Sequence, residues 1–413
     1  MKILLATYWH VPHLGGVWPY MIQKKSKLEE LGHEVDLLGY GDIPGSYVHL
    51  VNKGIRIETE KLFPLLREKL SRSMYPAIYA NPLIEYTEFR RYAFELAVRS
   101  LDLQAYDLVH TQDVISTVSI NRIRPRGIAL VATLHGCVAH EIKRTLAEDG
   151  PLAHNAHLAQ AYFNRMERTS AASAEYTVLA NRWMERILSG EFQVSPRSMR
   201  VFQYGYDMEG FRRQMKRPSS MHRPYGKKVI IFTGRLVEIK GVHMLLDALR
   251  LLKQERKDWV CWLVGEGDQE TRLQQQANAL GLGNDVLFLG SRDDVPALLG
   301  QADIFVLPSM IDNQPLALIE AQVAGKAIVT TDAGGLPEMT KHRGNGLLTP
   351  VGDTHALYAA LSELLGNDAF RKLLGIQAQR WAMTHWSMDR MMDQLMDVYE
   401  SAIAKRRKSA VSR

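Results

Sequence analysis

The sequence predicts an α/β protein made of two doubly wound domains, each a parallel sheet covered by helices. Short apolar runs typical of buried strands alternate with helical stretches along the chain. The strand–glycine loop–helix pattern that opens the chain begins again near Lys228. A length of 413 residues and a hydrophobic content of 46% are enough for two full cores.

Composition excludes several classes of protein. The net charge of +6 is compatible with anionic small molecules or a membrane surface, and the scattered basic residues form no nucleic-acid recognition motif. No apolar run approaches the ~18–20 residues of a membrane span. Cys137 and Cys261 lie far apart in apolar segments, which favours a reducing cytosol, and no Cys/His cluster has zinc spacing. We therefore expect a cytoplasmic protein without a metal site or nucleic-acid partner.

The first strand is predicted from Lys2 to Thr7, because its apolar core is too short for a signal peptide and leads into a glycine turn. A helix is predicted from Val17 to Gly32. The glycine pair between them, Gly15-Gly16, either lets a phosphate approach the backbone or forms a plain tight turn. The residues alone leave both interpretations open.

The segment from Lys53 to Ser100 is less regular and rich in basic and aromatic residues. It is either a solvated helical excursion or a surface that faces an acceptor or a membrane. Further on, a buried strand from Ala129 ends at His135-Gly136. Ligands of open α/β sheets lie outside the carboxyl ends of the strands, so His135 is a candidate site residue, although a histidine there can also be structural.

The best linker candidate is the basic, proline-broken stretch from Phe211 to Gly226. We therefore predict one domain over residues 1–210 and a second over 225–386. Three helices follow Ala356, and the basic end from Ala404 to Arg413 is predicted to be disordered.

The stretch from Pro308 to Lys326 is the centre of the second domain. It follows a short buried strand and contains a polar turn, a helix predicted to begin at Pro315, and Gly325 at the helix end. Free N–H groups and the helix dipole make such a turn an anion site. Glu320 lies about two turns into this apolar helix, where a carboxylate needs a partner such as a ribose diol.

Several segments, taken in order, resemble family 4 glycosyltransferases over nearly the whole chain. The segments are Gly15-Gly16, His135-Gly136, Gly234-Arg235 through Lys240-Gly241, Gly265-Glu-Gly267, Asp312 through Glu320 and Gly334-Gly335-Leu-Pro-Glu338. The family implies the GT-B fold, two facing Rossmann-like domains with an interdomain cleft, in which the last helix (about 387–404) crosses back to the first domain. The opening residues, ATYWHVPHLGGVWPYM, also resemble glycosyltransferases associated with bacterial spore coats.

The resemblance implies catalytic and donor-binding positions. Arg235 and Lys240 would hold the diphosphate, since two cations neutralise a leaving group as its charge develops. A surface pair at a helix start is the alternative, and the helix dipole disfavours it. His135 would contact the transferring sugar, and Glu320 would bind the ribose hydroxyls. The other donor-binding positions would contact phosphate, base or sugar, largely through backbone atoms: Gly15, Gly16, Gly234, Ser291, Arg292, Asn313, Gln314, Pro315 and Leu316.

One position departs from the family pattern. The family usually carries Glu where this chain has Asp312, so the catalytic carboxylate is one methylene shorter. This difference leaves the identity of the sugar open and makes an inactive protein of the same fold the main alternative, one that binds nucleotide-sugar or serves as a structural coat protein. A different enzyme, such as a nucleotide-sugar epimerase, is a further alternative.

The resemblance thus implies a retaining, metal-independent hexosyltransferase without a cofactor. It would use a nucleotide diphosphate sugar as co-substrate and an acceptor hydroxyl on a glycan, a lipid, a small molecule or a coat component. Peripheral contact with a membrane or with a spore coat stays open. The nucleotide, the sugar, the acceptor and the oligomeric state are not determined by the sequence.

Overall fold

The structure is a computed structural model that describes residues 1–12, 16–42, 46–147, 150 and 152–411. The chain divides into two compact units. The first comprises Met1–Phe202 together with the chain from Met392 onward, and the second comprises Gln203–Met391. Of the predicted site residues, Gly15 lies outside the described residues.

The first unit contains an eight-stranded sheet in the order β4-β3-β2-β1-β5-β6-β7-β8. The six strands from β2 to β8 in this order are parallel, whereas β3 and β4 are added antiparallel at the edge. Strands β1, β5 and β6 are almost wholly buried, as expected for a sheet covered on both faces. The strands are β1 (Lys2–His10), β2 (Glu34–Tyr40), β3 (Tyr47–Leu50), β4 (Ile55–Glu58), β5 (Leu108–Thr111), β6 (Ala129–Leu134), β7 (Tyr176–Leu179) and β8 (Met199–Val201).

Seven described helices belong wholly to the first unit, and most connect one parallel strand to the next. They are α1 (Val17–Glu30), α2 (Phe63–Lys69), α3 (Pro82–Arg99), α4 (Val114–Ile123), α5 (Val138–Thr145), α6 (Ala156–Ser173) and α7 (Arg182–Gly190).

The second unit contains a six-stranded sheet in the order β11-β10-β9-β12-β13-β14, and every pair in it is parallel. Its strands are β9 (Lys228–Thr233), β10 (Trp259–Val264), β11 (Val286–Phe288), β12 (Ile304–Leu307), β13 (Ala327–Thr331) and β14 (Leu347–Thr349). Its helices are α8 (Met208–Gln214), α9 (Val242–Glu255), α10 (Glu270–Ala279), α11 (Val295–Gln301), α12 (Leu316–Val323), α13 (Leu336–Met339), α14 (Thr354–Gly366) and α15 (Asp368–His385).

Both sheets have the strand order of doubly wound folds, which confirms the predicted fold class. In each sheet the chain starts near the middle, builds strands to one side and then crosses to the other. The reversal occurs between β1 and β5 in the first sheet and between β9 and β12 in the second. Ligands of such sheets bind at the carboxyl ends of the strands at this switch point.

The segment from Lys53 to Ser100 is not wholly helical, so the prediction of a solvated helical excursion is corrected. It contains β4, which pairs antiparallel with β3 at the sheet edge. Arg91, one of its basic residues, is buried in α3 and bonded to Glu88 and Glu95 rather than solvated. The alternation Ile-Arg-Ile-Glu of β4 is a strand pattern that the prediction of a helical excursion missed.

Two helix boundaries also differ from prediction. Helix α12 begins at Leu316, and Pro315 is its N-cap in an extended conformation rather than its first helical residue. The last helix, α16 (Met388–Val411), continues through the basic stretch predicted to be disordered. Lys405 donates to the Glu175 carbonyl at 2.9 Å and Arg406 donates to the Arg126 carbonyl at 2.6 Å, so contacts with the first unit support this end.

The stretch predicted as a linker belongs to the second unit. The division between the units falls at Phe202/Gln203, and α8 occupies the start of the predicted linker. Phe211 within it is buried in the core of the second unit. Beyond α8, Ser219 donates to the Asp294 carboxylate at 2.6 Å, which ties the stretch to the start of α11.

Candidate active site

The loops that leave β9 and β12 meet at the switch point of the second sheet. Met310 N–H donates to the Ile239 carbonyl at 2.8 Å, which joins one loop to the other. Gly241, at the end of the β9 loop, has φ +67°, and a Cβ placed there would lie 2.1 Å from the Pro308 carbonyl oxygen. Glycine is therefore required for the two backbones to approach this closely.

Lys240 and Asp312 form an ion pair across these two loops. Lys240 Nζ lies 2.6 Å from Asp312 Oδ2, which also accepts a 2.9 Å hydrogen bond from Ser309 Oγ. Both charged side chains are mostly buried, with exposed fractions of 15% and 12%. The Asp312 carboxylate, although one methylene shorter than Glu, thus contacts Lys240, which was predicted to bind phosphate.

Arg235 is the second predicted phosphate ligand, and its environment is different. It is exposed, and within the described residues it makes no hydrogen bond or ion pair. Gly234 before it has φ +152° and donates its N–H to the Val264 carbonyl at 2.9 Å. The guanidinium group is therefore carried by a firmly held backbone and is available to an anion.

Two further glycines hold the backbone at this edge of the sheet. A Cβ on Gly265 would lie 2.0 Å from the Gly234 carbonyl oxygen, and a Cβ on Gly334 would lie 2.0 Å from the Asp312 carbonyl oxygen. Gly335 N–H also donates to the Asp312 carbonyl at 2.9 Å. The loops after β10 and β13 therefore press directly against the candidate site residues.

The turn before α12 uses part of its hydrogen-bonding capacity internally. Asn313 N–H donates to Asp312 Oδ1 at 3.2 Å, and Gln314 Oε1 accepts from Tyr204 N–H at 3.3 Å. Gln314 Nε2 is buried without a partner among the described residues. Pro315 has no N–H, and Leu316 opens the helix. The buried Gln314 amide nitrogen is thus a donor that this turn leaves unsatisfied.

Glu320 is half-buried in α12 and has a protein partner that the sequence did not suggest. Tyr206 Oη donates to Glu320 Oε1 at 2.8 Å, and Tyr206 N–H donates to the Trp386 carbonyl at 3.0 Å. Burial raises the pKa of Glu320 to about 7, and the hydrogen bond from Tyr206 opposes this rise. The carboxylate is therefore close to half ionised at neutral pH.

Ser291 and Arg292, predicted to line the base pocket, lie after β11 as expected, but the Arg292 side chain is engaged elsewhere. Its guanidinium donates twice to Asp294 at 2.6 Å and once to Ser220 Oγ at 2.8 Å. This bidentate pairing lowers the pKa of Asp294 to about 2. Ser291 is exposed, and its N–H donates to Glu266 Oε1 at 3.1 Å.

Two predicted site residues lie in the first unit. Gly16 is exposed and directly precedes α1, where its carbonyl accepts from Tyr20 N–H at 3.2 Å. His135 directly follows β6, and its Nε2 lies 3.2 Å from Gln112 Oε1. Burial and the nearby Lys24 ammonium lower the pKa of His135 to about 3, so the ring is neutral.

The described residues contain no group of three or more His, Cys, Asp or Glu side chains arranged to hold a metal ion. None of the described helices combines the length and apolarity needed to cross a bilayer. Cys137 and Cys261 are both buried and free. The second unit offers the exposed Arg235 guanidinium, the Lys240–Asp312 ion pair and the Glu320 carboxylate bonded to Tyr206.

Known protein families match both units. Residues 15–205 match the model of the glycosyl transferase 4-like domain, and residues 216–381 match the model of the glycosyl transferases group 1. The two matches follow one another along the chain and together cover most of it.

Individual relatives agree with this assignment. The chain is 27% identical to the MMP alpha-(1->4)-mannosyltransferase of Mycolicibacterium hassiacum, over 98% of this chain and 99% of that protein. It is 32% identical to spore coat protein SA of Bacillus subtilis, over 46% of this chain and 52% of that protein. The structure of Anabaena Alr3699/HepE in complex with UDP aligns at a TM-score of 0.67 and 20% identity, over 97% of this chain and all of that one.

These matches and the two doubly wound sheets bear out the resemblance on which the site residues were chosen. The fold is GT-B, and the chain belongs to the glycosyltransferases that join a 4-like domain to a group 1 domain.

Proposed function

We propose that this glycosyltransferase moves a hexose from a nucleotide diphosphate sugar to an acceptor hydroxyl, with retention of configuration and without a metal ion. The observation that carries the proposal is the loop after β9, which brings Arg235 and Lys240 to the switch point of the second sheet. Arg235 has no ionic partner among the described residues, so a bound diphosphate would give it one.

The charges account for catalysis without a metal. When the C1–oxygen bond to the diphosphate breaks, negative charge develops on the leaving oxygen, and a fixed guanidinium and ammonium stabilise it. The acceptor oxygen forms the new bond to C1 on the same face, and its proton passes to the leaving phosphate oxygen. Lys240 would have to share its charge between Asp312 and the phosphate, which makes Asp312 a natural modulator of donor binding.

Glu320 is the proposed ribose ligand. Its second carboxylate oxygen, Oε2, can accept from a hydroxyl while Oε1 keeps the hydrogen bond from Tyr206. A hydroxyl donating to the ionised form would lower its pKa from about 7, so ribose binding and ionisation support each other. Because UDP is the ligand in the aligned HepE structure, a UDP-sugar is the first donor to test.

The test is a thermal-shift screen of the purified protein with UDP, GDP, ADP and their hexose derivatives, in the presence of EDTA. A ligand at 100 times its dissociation constant adds about 2.7 kcal/mol to the unfolding free energy, which gives an easily measured shift. We expect one nucleotide and its sugar to stabilise the protein. NMR of the product from that donor should then show the anomeric configuration of the donor.

Three outcomes contradict parts of the proposal. Inversion of the anomeric centre would exclude retention, and activity abolished by EDTA and restored by a divalent cation would exclude metal independence. Stabilisation by a nucleotide-sugar without transfer or donor hydrolysis would favour the inactive binding or coat protein. The acceptor, whether glycan, lipid, small molecule or coat component, is identified only after the donor is known.

A further inference from the structure

Lys24 is a lysine buried inside the first unit without a carboxylate. It lies in the middle of α1 and is fully buried. Its Nζ donates to Gln112 Oε1 at 3.2 Å and lies 4.3 Å from the centroid of the Tyr20 ring. Within the described residues it forms no ion pair. Lysine is almost never fully buried unless it is paired, so this position has a cost that calls for a function.

The hydrogen bonds of Gln112 fix the orientation of its side-chain amide. Gln112 directly follows β5 and is buried. Its Nε2 donates to the His110 carbonyl at 3.3 Å, and a carbonyl oxygen only accepts. On the other side, Lys24 Nζ donates to Gln112 Oε1, which is consistent with the amide oxygen facing the lysine. Both contacts therefore agree with the same amide orientation.

The orientation of Gln112 in turn decides which nitrogen of His135 carries the proton. His135 Nε2 lies 3.2 Å from the same Gln112 Oε1 that accepts from Lys24. Since an amide oxygen cannot donate, Nε2 must bear the hydrogen, and Nδ1 is then the accepting nitrogen of the neutral ring. The edge of the Tyr20 ring packs on the imidazole with centroids 5.4 Å apart and limits its rotation.

We infer that Lys24 and Gln112 are positioning residues that hold His135 as the neutral Nε2–H tautomer in a single orientation. The consequence for catalysis rests on the proposed function, in which His135 meets the transferring sugar. A ring whose tautomer and orientation are already set spends no free energy on reaching that state during the reaction.

The other titratable groups around the ring support a neutral state. The groups near the ring include Lys24 and the buried His110, and neither can carry a negative charge. The His110 ring is hydrogen-bonded to Tyr399 Oη at 2.6 Å and to Thr133 Oγ1 at 2.7 Å. Burial and Lys24 lower the pKa of His110 well below its usual value. Burial also lowers the pKa of Lys24 well below its usual value, so this interior disfavours the charged form of each of these groups.

The direct test is long-range 1H–15N NMR of the full chain labelled at histidine, with the His135 signals assigned from a His135→Gln spectrum. We expect Nε2 to show the protonated shift and Nδ1 the unprotonated shift from pH 6 to 8. Gln112→Met, which removes the accepting oxygen, should give a mixture of tautomers.

Kinetics then separate positioning from simple support of the fold. With the donor found by the screen, we expect Gln112→Met to lower kcat about tenfold with KM changed less than about twofold. Lys24→Met should act in the same direction as Gln112→Met. Lys25→Met, which removes the neighbouring, half-buried lysine paired with Glu29, is the matched control and should leave both constants unchanged.

The outcomes that overturn the inference are distinct from failure of the proposed function. A wild-type His135 with Nδ1–H or with both nitrogens protonated at neutral pH overturns it, and the NMR experiment shows this even if no donor is turned over. A Gln112→Met protein with changed tautomers and unchanged kcat also overturns it. If that variant does not fold, the wild-type spectrum and Lys24→Met decide the question.

Discussion

Tyr206 Oη donates a hydrogen bond to Glu320 Oε1 at 2.8 Å, and this bond joins the chain just before α8 to the middle of α12. This contact is important because Glu320 is half-buried and is the only carboxylate in the described helix α12. Burial raises the pKa of Glu320 to about 7, while the Tyr206 bond stabilises the ionised form. The protein thus keeps a carboxylate at the edge of ionisation where a ribose is proposed to bind.

Glu320→Gln is expected to stabilise the ligand-free protein in a pH-dependent way. The native pKa near 7 exceeds the unfolded value of 4.5, so the unfolded state loses its proton first as pH rises and stability falls between these values. The penalty is complete above pH 7 and is on the order of 3 kcal/mol. The melting temperatures of variant and wild type should be close at pH 5 and differ most at pH 8.

The same variant tests the ribose role. Gln keeps an oxygen that can accept from Tyr206 but carries no charge. Nucleotide affinity of the wild type should rise from pH 6 to 8 as Glu320 ionises, and the rise should be absent in Glu320→Gln. Calorimetric titration of both proteins at each pH measures the nucleotide affinity. Protonation of the nucleotide itself affects both proteins equally, so the variant serves as its control. Equal affinities and equal pH dependence would exclude Glu320 from the site.

Arg235→Ala should weaken nucleotide diphosphate binding without affecting the fold. Arg235 is exposed and has no partner within the described part of the chain, so its removal breaks no internal contact. Loss of a charge-assisted hydrogen bond to phosphate costs about 1.5–3 kcal/mol, or roughly tenfold or more in affinity. The matched control is Arg250→Ala, another exposed arginine, in α9. Unchanged affinity in Arg235→Ala would contradict the diphosphate site.

Lys240 and Asp312 should show coupled stabilities. Lys240→Met leaves the mostly buried Asp312 carboxylate with hydrogen bonds from Ser309 and Asn313 but without its lysine, and should destabilise the protein by on the order of 1–2 kcal/mol. Adding Asp312→Asn removes the unpaired charge, so the double variant should be more stable than Lys240→Met alone. Denaturant unfolding of the four proteins in this cycle measures the coupling. Additive losses would mean that the pair is not formed in solution.

Gly334→Ala should disturb the turn that carries Asp312. The new Cβ would lie 2.0 Å from the Asp312 carbonyl oxygen, and φ is +57°. The control is Gly352→Ala, because Gly352 also has a positive φ, +83°, but a Cβ there would have nothing within 4 Å. This control should lose only the free energy of the backbone strain, about 1–2 kcal/mol. We expect Gly334→Ala to lose more unfolding free energy than this control and to lower donor affinity as well. Equal losses in the two variants would show that the turn moves aside freely.

Local pattern was enough to predict the doubly wound fold and the places where chemistry belongs. Short apolar runs marked the strands, so the residues just beyond them, such as Arg235, Asp312 and His135, could be placed at strand ends from the sequence. The resemblance to family 4 glycosyltransferases added roles for these residues, and the family assignment is confirmed. The individual roles are still predictions.

Only the tertiary structure showed which polar side chains form pairs with each other. Tyr206 and Glu320 are hydrogen-bonded although they lie far apart in the chain. Lys24 and Lys25 are neighbours in the sequence, yet one is fully buried and the other is ion-paired to Glu29. Periodicity records which face of an element is apolar, whereas the partner of a polar side chain depends on contacts between distant segments, and these form only when the sheet brings its loops together.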